Sequence, residues 1–313
     1  MPPLTVEENE FISDRCADIR SWRPPRRRKD PVLRLRGMED PLHEGVVDGP
    51  SAHLIRSFFN HMGFDEHRLF RWGFHHKLVQ ALVLSALAPG CLPATRGLVS
   101  VISQGDAGPF RDRVRAWKEL GYLFKRTLAT GSGEHGRVDF TRQAIATLES
   151  ALELDATVEH EEFMLQKRID IAEELRVHSV EDQVVENLTV GRYRGGYAPN
   201  PEQPYVNRYV ASVLKMLPRG LTTGTFYSWD VARTFANKFV ILEVNLTGFN
   251  PDFRQGFQCS GFFRGQQGPL MLARLLRFVE DRYGVKVKFP RTPVGFSEEC
   301  FVLYREVRRL LRH

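Results

Sequence analysis

The sequence predicts an α+β protein, because strand-like and helix-like segments are mixed without the regular alternation of a doubly wound sheet. The clearest strand is Phe239-Val-Ile-Leu-Glu-Val-Asn245, a β-branched and apolar run that ends in polar residues. The clearest helices are two amphipathic segments, over 268–283 and 297–312. Shorter strand-like runs separated by turn residues indicate several β-hairpins, which favour the α+β class over a parallel sheet.

The first half of the chain is predicted to contain an N-terminal arm followed by helices and one hairpin. Residues 1–50 are rich in Pro, Arg and acidic residues, which is typical of an arm or a reduced subdomain that is partly disordered. Apolar spacing and breakers predict the elements that follow. These are helices from Ser51, over 73–87 and over 109–118, strands over 121–125 and 137–140, and a helix over 141–152.

The second half is predicted to be richer in strands. Strands are expected over 163–166, 174–180, 184–194 and 239–245, an extended stretch over 222–235, and helices over 205–217, 268–283 and 297–312.

Composition sets limits on the function. The chain has 313 residues, 42% hydrophobic and 26% charged, which allows two or three subdomains of ordinary globular composition. No apolar run approaches the ~20 residues needed to span a bilayer, and the acidic start lacks the features of a signal peptide, so we expect a cytoplasmic protein without membrane contact. The four cysteines form no Cys-x-x-Cys pair.

The net charge of 44 − 38 = +6 permits an anionic partner such as a nucleotide, a nucleic acid or an acidic substrate. The basic run Arg26-Arg-Arg-Lys29 has no nucleic-acid-binding motif beside it, so nucleic acid is an unfavoured partner. The oligomeric state is left open.

A glycine-rich loop follows a strand that carries lysine. The segment Lys125-Arg-Thr-Leu-Ala-Thr-Gly-Ser-Gly-Glu-His-Gly136 offers a cation, hydroxyl groups and free backbone amides, which together can bind phosphate oxygens. It is not a Walker A motif, because no Gly-Lys-Ser/Thr follows the glycines. A plain hairpin turn explains the same residues equally well.

Phe163-Met-Leu-Gln-Lys-Arg-Ile-Asp170 is an apolar strand that runs into polar residues, as the wall of an adenine pocket does. Carboxylates at Glu173 and Glu174 lie within reach of a ribose. Arg176 alternates with apolar neighbours and so points away from them, either to solvent or to a phosphate site. An ordinary edge strand and turn is the alternative for the whole segment.

Glu243 and Asn245 lie two residues apart in the predicted strand, so their oxygens share one side. Magnesium binds a few hard oxygen donors and completes its shell with water and phosphate. Asp230, on a neighbouring extended segment, can add a further oxygen. The alternative is a glutamate at a solvent-exposed strand end that pairs with an arginine.

Taken in order, these segments resemble the ATP-grasp superfamily over about residues 70–285. The lysine strand and glycine loop over 121–136, the hinge over 164–170 and the Arg-bearing strand over 174–178 each resemble a segment of that family. So do Trp229-Asp-Val-Ala232 and Leu242-Glu-Val-Asn245, which resemble its two metal-binding segments. Upstream, His76-Lys77 followed by Pro93-Ala-Thr95 resembles its lysine helix and Pro-x-Thr turn.

The resemblance implies an ATP-grasp fold, in which two α+β subdomains sandwich ATP, here with a reduced N-terminal subdomain. The expected domains are an arm and reduced subdomain over 1–72, a central subdomain over 73–163, a C-terminal subdomain over 164–290 and a final helix over 291–313. The departures are Glu134-His135 in the glycine loop, where small residues are commoner, and the shortened region before Gly73.

The resemblance also implies roles for individual residues. ATP and one or two Mg²⁺ ions (or Mn²⁺) are the implied cofactors, with Asp230, Glu243 and Asn245 as metal ligands and Arg176 and Arg192 as catalytic arginines. Two further arginines, Arg254 and Arg264, are implied to hold a carboxylate substrate. The residues implied to bind the nucleotide are Lys77, Lys125, Thr130, Gly131, Ser132, Gly133, Gln166, Lys167, Arg168, Ile169, Glu173 and Glu174.

The implied reaction is Mg-ATP-dependent ligation of a carboxylate to an amine through an acyl phosphate, with release of ADP and phosphate. The two substrates, of which one can be a peptide, are not indicated by the sequence. A small-molecule kinase of the same fold and a catalytically altered ATP-binding protein are the alternatives.

Overall fold

The computed structural model describes residues 3–24, 32–34, 67–103, 112, 116–117, 119–128, 157–186, 190–191, 201–246, 268–284, 286–288 and 298–311. Over these residues the fold is α+β, as predicted, with antiparallel sheets at its centre. The predicted helix from Ser51, the strand over 137–140 and the helix over 141–152 lie outside the described residues. None of the described helices combines the length and the apolar character needed to cross a membrane.

The helices are α1 Val6–Ser21, α2 His67–Arg71, α3 Lys77–Leu87, α4 Leu98–Ser103, α5 Gln203–Met216, α6 Arg219–Thr222, α7 Gly268–Tyr283 and α8 Glu298–Leu311, with a 3-10 turn at Val158–His160. The strands are β1 Val32–Arg34, β2 Thr95–Gly97, β3 Tyr122–Arg126, β4 Phe163–Lys167, β5 Ile171–Val180, β6 Gln183–Val184, β7 Val190–Gly191, β8 Phe226–Thr234, β9 Phe239–Leu246 and β10 Lys286–Lys288. The predicted extended stretch over 222–235 therefore begins later, after the short helix α6.

The larger sheet is antiparallel, with strand order β6-β5-β8-β9 and β7 paired with β5. One face of its long strands is apolar: Leu175, Val177, Trp229 and Val231 are fully buried. They join one hydrophobic core with α3 and α5. Burying each such side chain stabilises the fold by roughly 1.5–3 kcal/mol, so this face fixes the register of the strands. Alternation along the strands then leaves the polar side chains on the other face.

The smaller sheet is antiparallel with the order β2-β4-β3. Phe124, Phe163 and Leu165 lie on one face and pack with Leu98 and Val101 of α4. The predicted domain boundary at 163/164 falls within β4, which pairs with β2 and β3. The described part of the chain also contains a short parallel pair, β1 with β10.

Within the region predicted to be an arm or a reduced subdomain, residues 6–21 form the helix α1. Thr5 caps this helix: its side chain accepts a hydrogen bond from the Glu8 N–H, and the Glu8 carboxylate accepts one from the Thr5 N–H. Ile12, Cys16 and Ile19 lie in the same core as α3. The spacing Thr-x-x-Glu is the sequence signature of such a capping box.

Candidate functional site

The polar face of the larger sheet carries a row of charged side chains across three strands. Arg176 of β5 lies opposite Asp230 of β8, and Asp230 lies opposite Glu243 of β9. Residues directly opposite each other in antiparallel strands share a face, and so do residues two apart in one strand. Glu174 and Asn245 therefore lie on the same face as this row.

Arg176 and Asp230 form a bidentate ion pair in the middle of the row. Arg176 Nε donates to Asp230 Oδ1 at 2.7 Å and Nη2 donates to Oδ2 at 3.0 Å. Asn245 Nδ2 also donates to Asp230 Oδ2 at 3.1 Å. The side chains of Asp230 and Arg176 are only 2% and 16% exposed, so water competes little for these bonds.

Lys77 reaches the same row from the first turn of α3. Its ammonium lies 3.3 Å from Glu243 Oε1, and both side chains are largely shielded from solvent. The helix begins at this residue because His76 caps it, and the Lys77 N–H donates to the Thr127 carbonyl beyond the end of β3. The start of α3 is thus tied both to the smaller sheet and to β9.

Lys125 lies on β3, and its ammonium donates to Gln166 Oε1 of β4 at 2.5 Å. Gln166 Nε2 donates onward to Thr95 Oγ1 at 3.2 Å, so one chain of hydrogen bonds crosses all three strands of the smaller sheet. Burial lowers the pKa of Lys125, and the nearby Glu243 carboxylate acts in the opposite direction. Lys125 is therefore a half-buried cation close to the charged row of the other sheet.

Three cations (Lys77, Lys125 and Arg176) and three carboxylates (Glu174, Asp230 and Glu243) meet in this region, which we call the charged cluster. Their Coulomb interactions join the two sheets, because Lys125 is influenced by Glu243, Lys77, Glu174 and Asp230. The formal charge of the cluster is zero. A polyphosphate placed beside it meets cations and carboxylates together, and only an added cation relieves the repulsion between phosphate and carboxylate.

The oxygen donors at the charged cluster can bind magnesium only if phosphate and water supply the remaining ligands. Within the ranges that the structure describes, no group of three or more His, Cys, Asp or Glu side chains could hold a metal ion. Two carboxylates, Asp230 and Glu243, and the amide oxygen of Asn245 make up the predicted set. Magnesium characteristically takes one or two protein carboxylates and completes its octahedron with phosphate and water, so this set is compatible with the ion.

The hinge residues after β4 have their backbone donors engaged. The Lys167 N–H donates to the Ala94 carbonyl and the Arg168 N–H donates to the Gly121 carbonyl. Lys167 and Arg168 have exposed side chains, while Ile169 is half-buried. These two amides bind the residues just before β2 and β3, so an adenine edge would have to use other groups.

The two predicted ribose carboxylates lie on different faces of β5. Glu174 shares the face of Arg176 and is buried. Glu173 lies opposite Arg233, and its carboxylate is 3.4 Å from the Arg233 guanidinium. Glu174 is the one that lies with the charged cluster.

The remaining predicted site residues lie outside the described residues. They are Thr130, Gly131, Ser132, Gly133, Arg192, Arg254 and Arg264.

Gln80 of α3 contacts the site but was not predicted. Its Nε2 donates to the Val244 carbonyl at 2.6 Å, and its Oε1 accepts from the Val244 N–H at 2.8 Å. The available signal was a polar residue inside an apolar helix, three positions after Lys77, where it shares the face of that lysine.

Comparisons with known proteins give matches at the level of structure. Solved structures similar to part of the chain include three ligases or synthetases. N5-carboxyaminoimidazole ribonucleotide synthetase from Thermotoga maritima is 13% identical, with 56% of this chain and 42% of that one covered and a TM-score of 0.35. D-alanine–D-alanine ligase from Bacillus anthracis, complexed with ATP, is 16% identical, with 56% and 55% covered and a TM-score of 0.35. The ATP-grasp ligase PsnB, complexed with the precursor peptide PsnA2 and AMPPNP, is 13% identical, with 71% and 66% covered and a TM-score of 0.37.

These three matches each cover part of the chain at a TM-score below 0.4. The chain spans less than two thirds of the length of each of these three proteins. No protein-family model matches the chain, and no curated protein matches it. Because the identities are 13% to 16% and the TM-scores 0.35 to 0.37, the likeness assigns neither activity nor substrate to this chain.

Proposed function

We propose that the chain is a Mg-ATP-dependent ligase that joins a carboxylate to an amine. The observation that carries the proposal is the charged cluster, in which Lys77 of helix α3, Lys125 of the smaller sheet and Arg176 of the larger sheet meet the carboxylates of the larger sheet, with Asn245 beside them. Polyphosphate binding requires converging cations, and metal binding requires oxygen donors beside them. Both sets lie together here on regular secondary structure, which holds them with little freedom.

The roles follow from position. Lys77 and Lys125 bind phosphate oxygens, and in doing so each exchanges a present partner, Glu243 or Gln166, for the nucleotide. Arg176 is held in a fixed orientation by Asp230 and directs its guanidinium at the transferring phosphoryl group. Glu174 is the candidate for the ribose hydroxyls. From the sequence resemblance alone, Arg192 is proposed as a second catalytic arginine, and Arg254 and Arg264 as carboxylate-binding residues.

Asp230, Glu243 and Asn245 hold the magnesium. A magnesium ion held by these residues would supply positive charge beside the phosphates, where negative charge develops during transfer. In this proposal the ion pair between Lys77 and Glu243 opens when nucleotide and metal bind, because Lys77 then pairs with phosphate and Glu243 with the metal.

In the proposed reaction, a carboxylate oxygen of the substrate attacks the γ-phosphorus, and the bond to the bridging oxygen of ADP breaks. The amine nitrogen then attacks the acyl carbon, phosphate leaves, and the amine proton passes to solvent. The protein mainly orients the reactants and balances their charge, as is general for phosphoryl transfer.

The test is an ATP-consumption screen over amino acids and peptides, with mass spectrometry of the products. ADP, phosphate and a joined product that has lost one water support the ligase. A phosphorylated product with ADP and no joining contradicts it in favour of a kinase. Binding of Mg-ATP without turnover of any acceptor contradicts it in favour of a binding protein.

A further inference from the structure

Gln80 is a buried side chain whose polar atoms all face backbone. Its amide group donates to and accepts from the same residue, Val244, at 2.6 and 2.8 Å. Nε2 is also 3.2 Å from the Phe74 carbonyl. A side-chain amide that donates and accepts in this way reproduces the hydrogen bonding of a neighbouring β-strand at one residue.

The bonded residue, Val244, lies between two of the proposed magnesium ligands. Val244 is opposite Trp229 of β8, and its own N–H and C=O are directed away from β8 towards α3. In the described sheet β9 is the last strand, so these two groups have no strand partner there. Leaving them buried and unpaired would cost roughly 1–3 kcal/mol each, which makes Gln80 the residue that fixes the backbone at this point.

The same helix also fixes the side chain of one ligand. Lys77 precedes Gln80 by three residues, so both lie on one face of α3, and Lys77 contacts Glu243 at 3.3 Å. Further along the strand, the Ile241 N–H donates to the Cys91 carbonyl just after α3. Helix α3 and the residues after it therefore hold β9 at two backbone positions and one side chain.

We propose that Gln80 is a positioning residue for magnesium, acting through the backbone of Val244 on the directions of Glu243 and Asn245. The inference rests on the proposed function and adds a residue that touches neither nucleotide nor metal. Groups that orient metal ligands typically change metal affinity or activity by about 10- to 100-fold when they are replaced. A residue with a purely structural role would lower the stability of the fold without a selective effect on the metal.

The variant Gln80→Met keeps the approximate length and volume of the side chain and removes both hydrogen bonds to Val244, together with the one to the Phe74 carbonyl. The matched control is Tyr227→Phe, which removes a buried hydrogen bond from the Tyr227 hydroxyl to the Leu221 carbonyl on the apolar side of the sheet. Calorimetry measures ADP binding without metal, and Mg²⁺ binding at saturating ADP. Hydrogen exchange of the Val244 amide, measured by NMR without any ligand, tests the hydrogen bond between this amide and Gln80.

For Gln80→Met we expect the Mg²⁺ dissociation constant to rise at least about tenfold, with metal-free ADP affinity within about twofold of wild type. The Val244 amide should exchange about tenfold faster. Tyr227→Phe should change neither metal affinity nor the exchange of Val244. The variant Gln80→Glu supplies a rescue, because its neutral carboxyl group can donate and accept in the same place. Relative to wild type at each pH, its Mg²⁺ affinity should improve as the pH falls.

Two results would overturn the inference. If the wild type binds Mg²⁺ with ADP and Gln80→Met binds it equally well, Gln80 does not position the metal ligands, while the proposed function stands. If the wild type binds ADP without any Mg²⁺ dependence, the proposed function fails and the inference fails with it.

Discussion

Replacing Arg176 with leucine removes both hydrogen bonds that Asp230 receives from the guanidinium, at 2.7 and 3.0 Å, and leaves the carboxylate buried. Breaking a buried ion pair from one side costs about 3–5 kcal/mol. The bond from Asn245 remains and Arg176 is 16% exposed, so we expect a loss near the lower end, about 3 kcal/mol of unfolding free energy. Asp230→Leu should cost a similar amount.

The double variant distinguishes a real pair from two separate defects. If Arg176 and Asp230 stabilise the fold through each other, the double leucine variant should be about 2 kcal/mol more stable than the sum of the single losses predicts. The matched control is Arg282 with Asp182, whose side chains are 36% and 58% exposed, and whose coupling should stay within about 1 kcal/mol. Urea unfolding, followed by circular dichroism, measures the coupling energy of each pair through a double-mutant cycle. A coupling at Arg176–Asp230 no larger than that at the surface pair would refute the reasoning.

Two further predictions concern the buried carboxylate of Glu161 and the half-buried ammonium group of Lys125. Burial raises the pKa of Glu161 to about 7 from a usual 4.5, so between these values the unfolded chain is ionised while the folded chain keeps the proton. The unfolding free energy of the wild type should therefore fall by about 3 kcal/mol as the pH rises through this window, and Glu161→Gln should lack that fall. Denaturation at several pH values measures both proteins. An equal dependence of unfolding free energy on pH in the two proteins would contradict the prediction. Lys125→Met should weaken ATP binding about 10- to 100-fold by calorimetry, because a half-buried charged donor to phosphate is lost. Arg126→Met, at an exposed neighbouring position, is its control, and equal affinities of the two variants would contradict the role of Lys125.

Strands and helices with strong periodicity could be predicted from the sequence. The strand predicted over 239–245 is β9 at Phe239–Leu246, and the helix predicted over 268–283 is α7 with the same bounds. Alternation in β9 also predicted that Glu243 and Asn245 share a side, and the register agrees with it. Period-2 patterns carry this information directly, because each side chain has only two faces to choose from.

Contacts between distant segments could not be predicted in the same way. Lys77 and Glu243 are far apart in sequence, and nothing local indicates that α3 lies against β9. The bonds of Gln80 go to backbone atoms, which leave no mark on the residue type of Val244. The helix α1 was not predicted as an element, because its charged residues conceal the spacing of Ile12 and Ile19, which lie in the core.

The central claim is that Glu243 and Asn245 bind magnesium beside a nucleotide, and titration calorimetry of the intact chain tests it most directly. We expect ATP to bind the wild type much more tightly with Mg²⁺ than without it, and Glu243→Ala to lose most of that Mg²⁺ dependence. Glu280→Gln is the control, because Glu280 is a partly buried carboxylate on α7 that accepts a backbone hydrogen bond from Val287. Full Mg²⁺ dependence and wild-type affinity in Glu243→Ala would contradict the account.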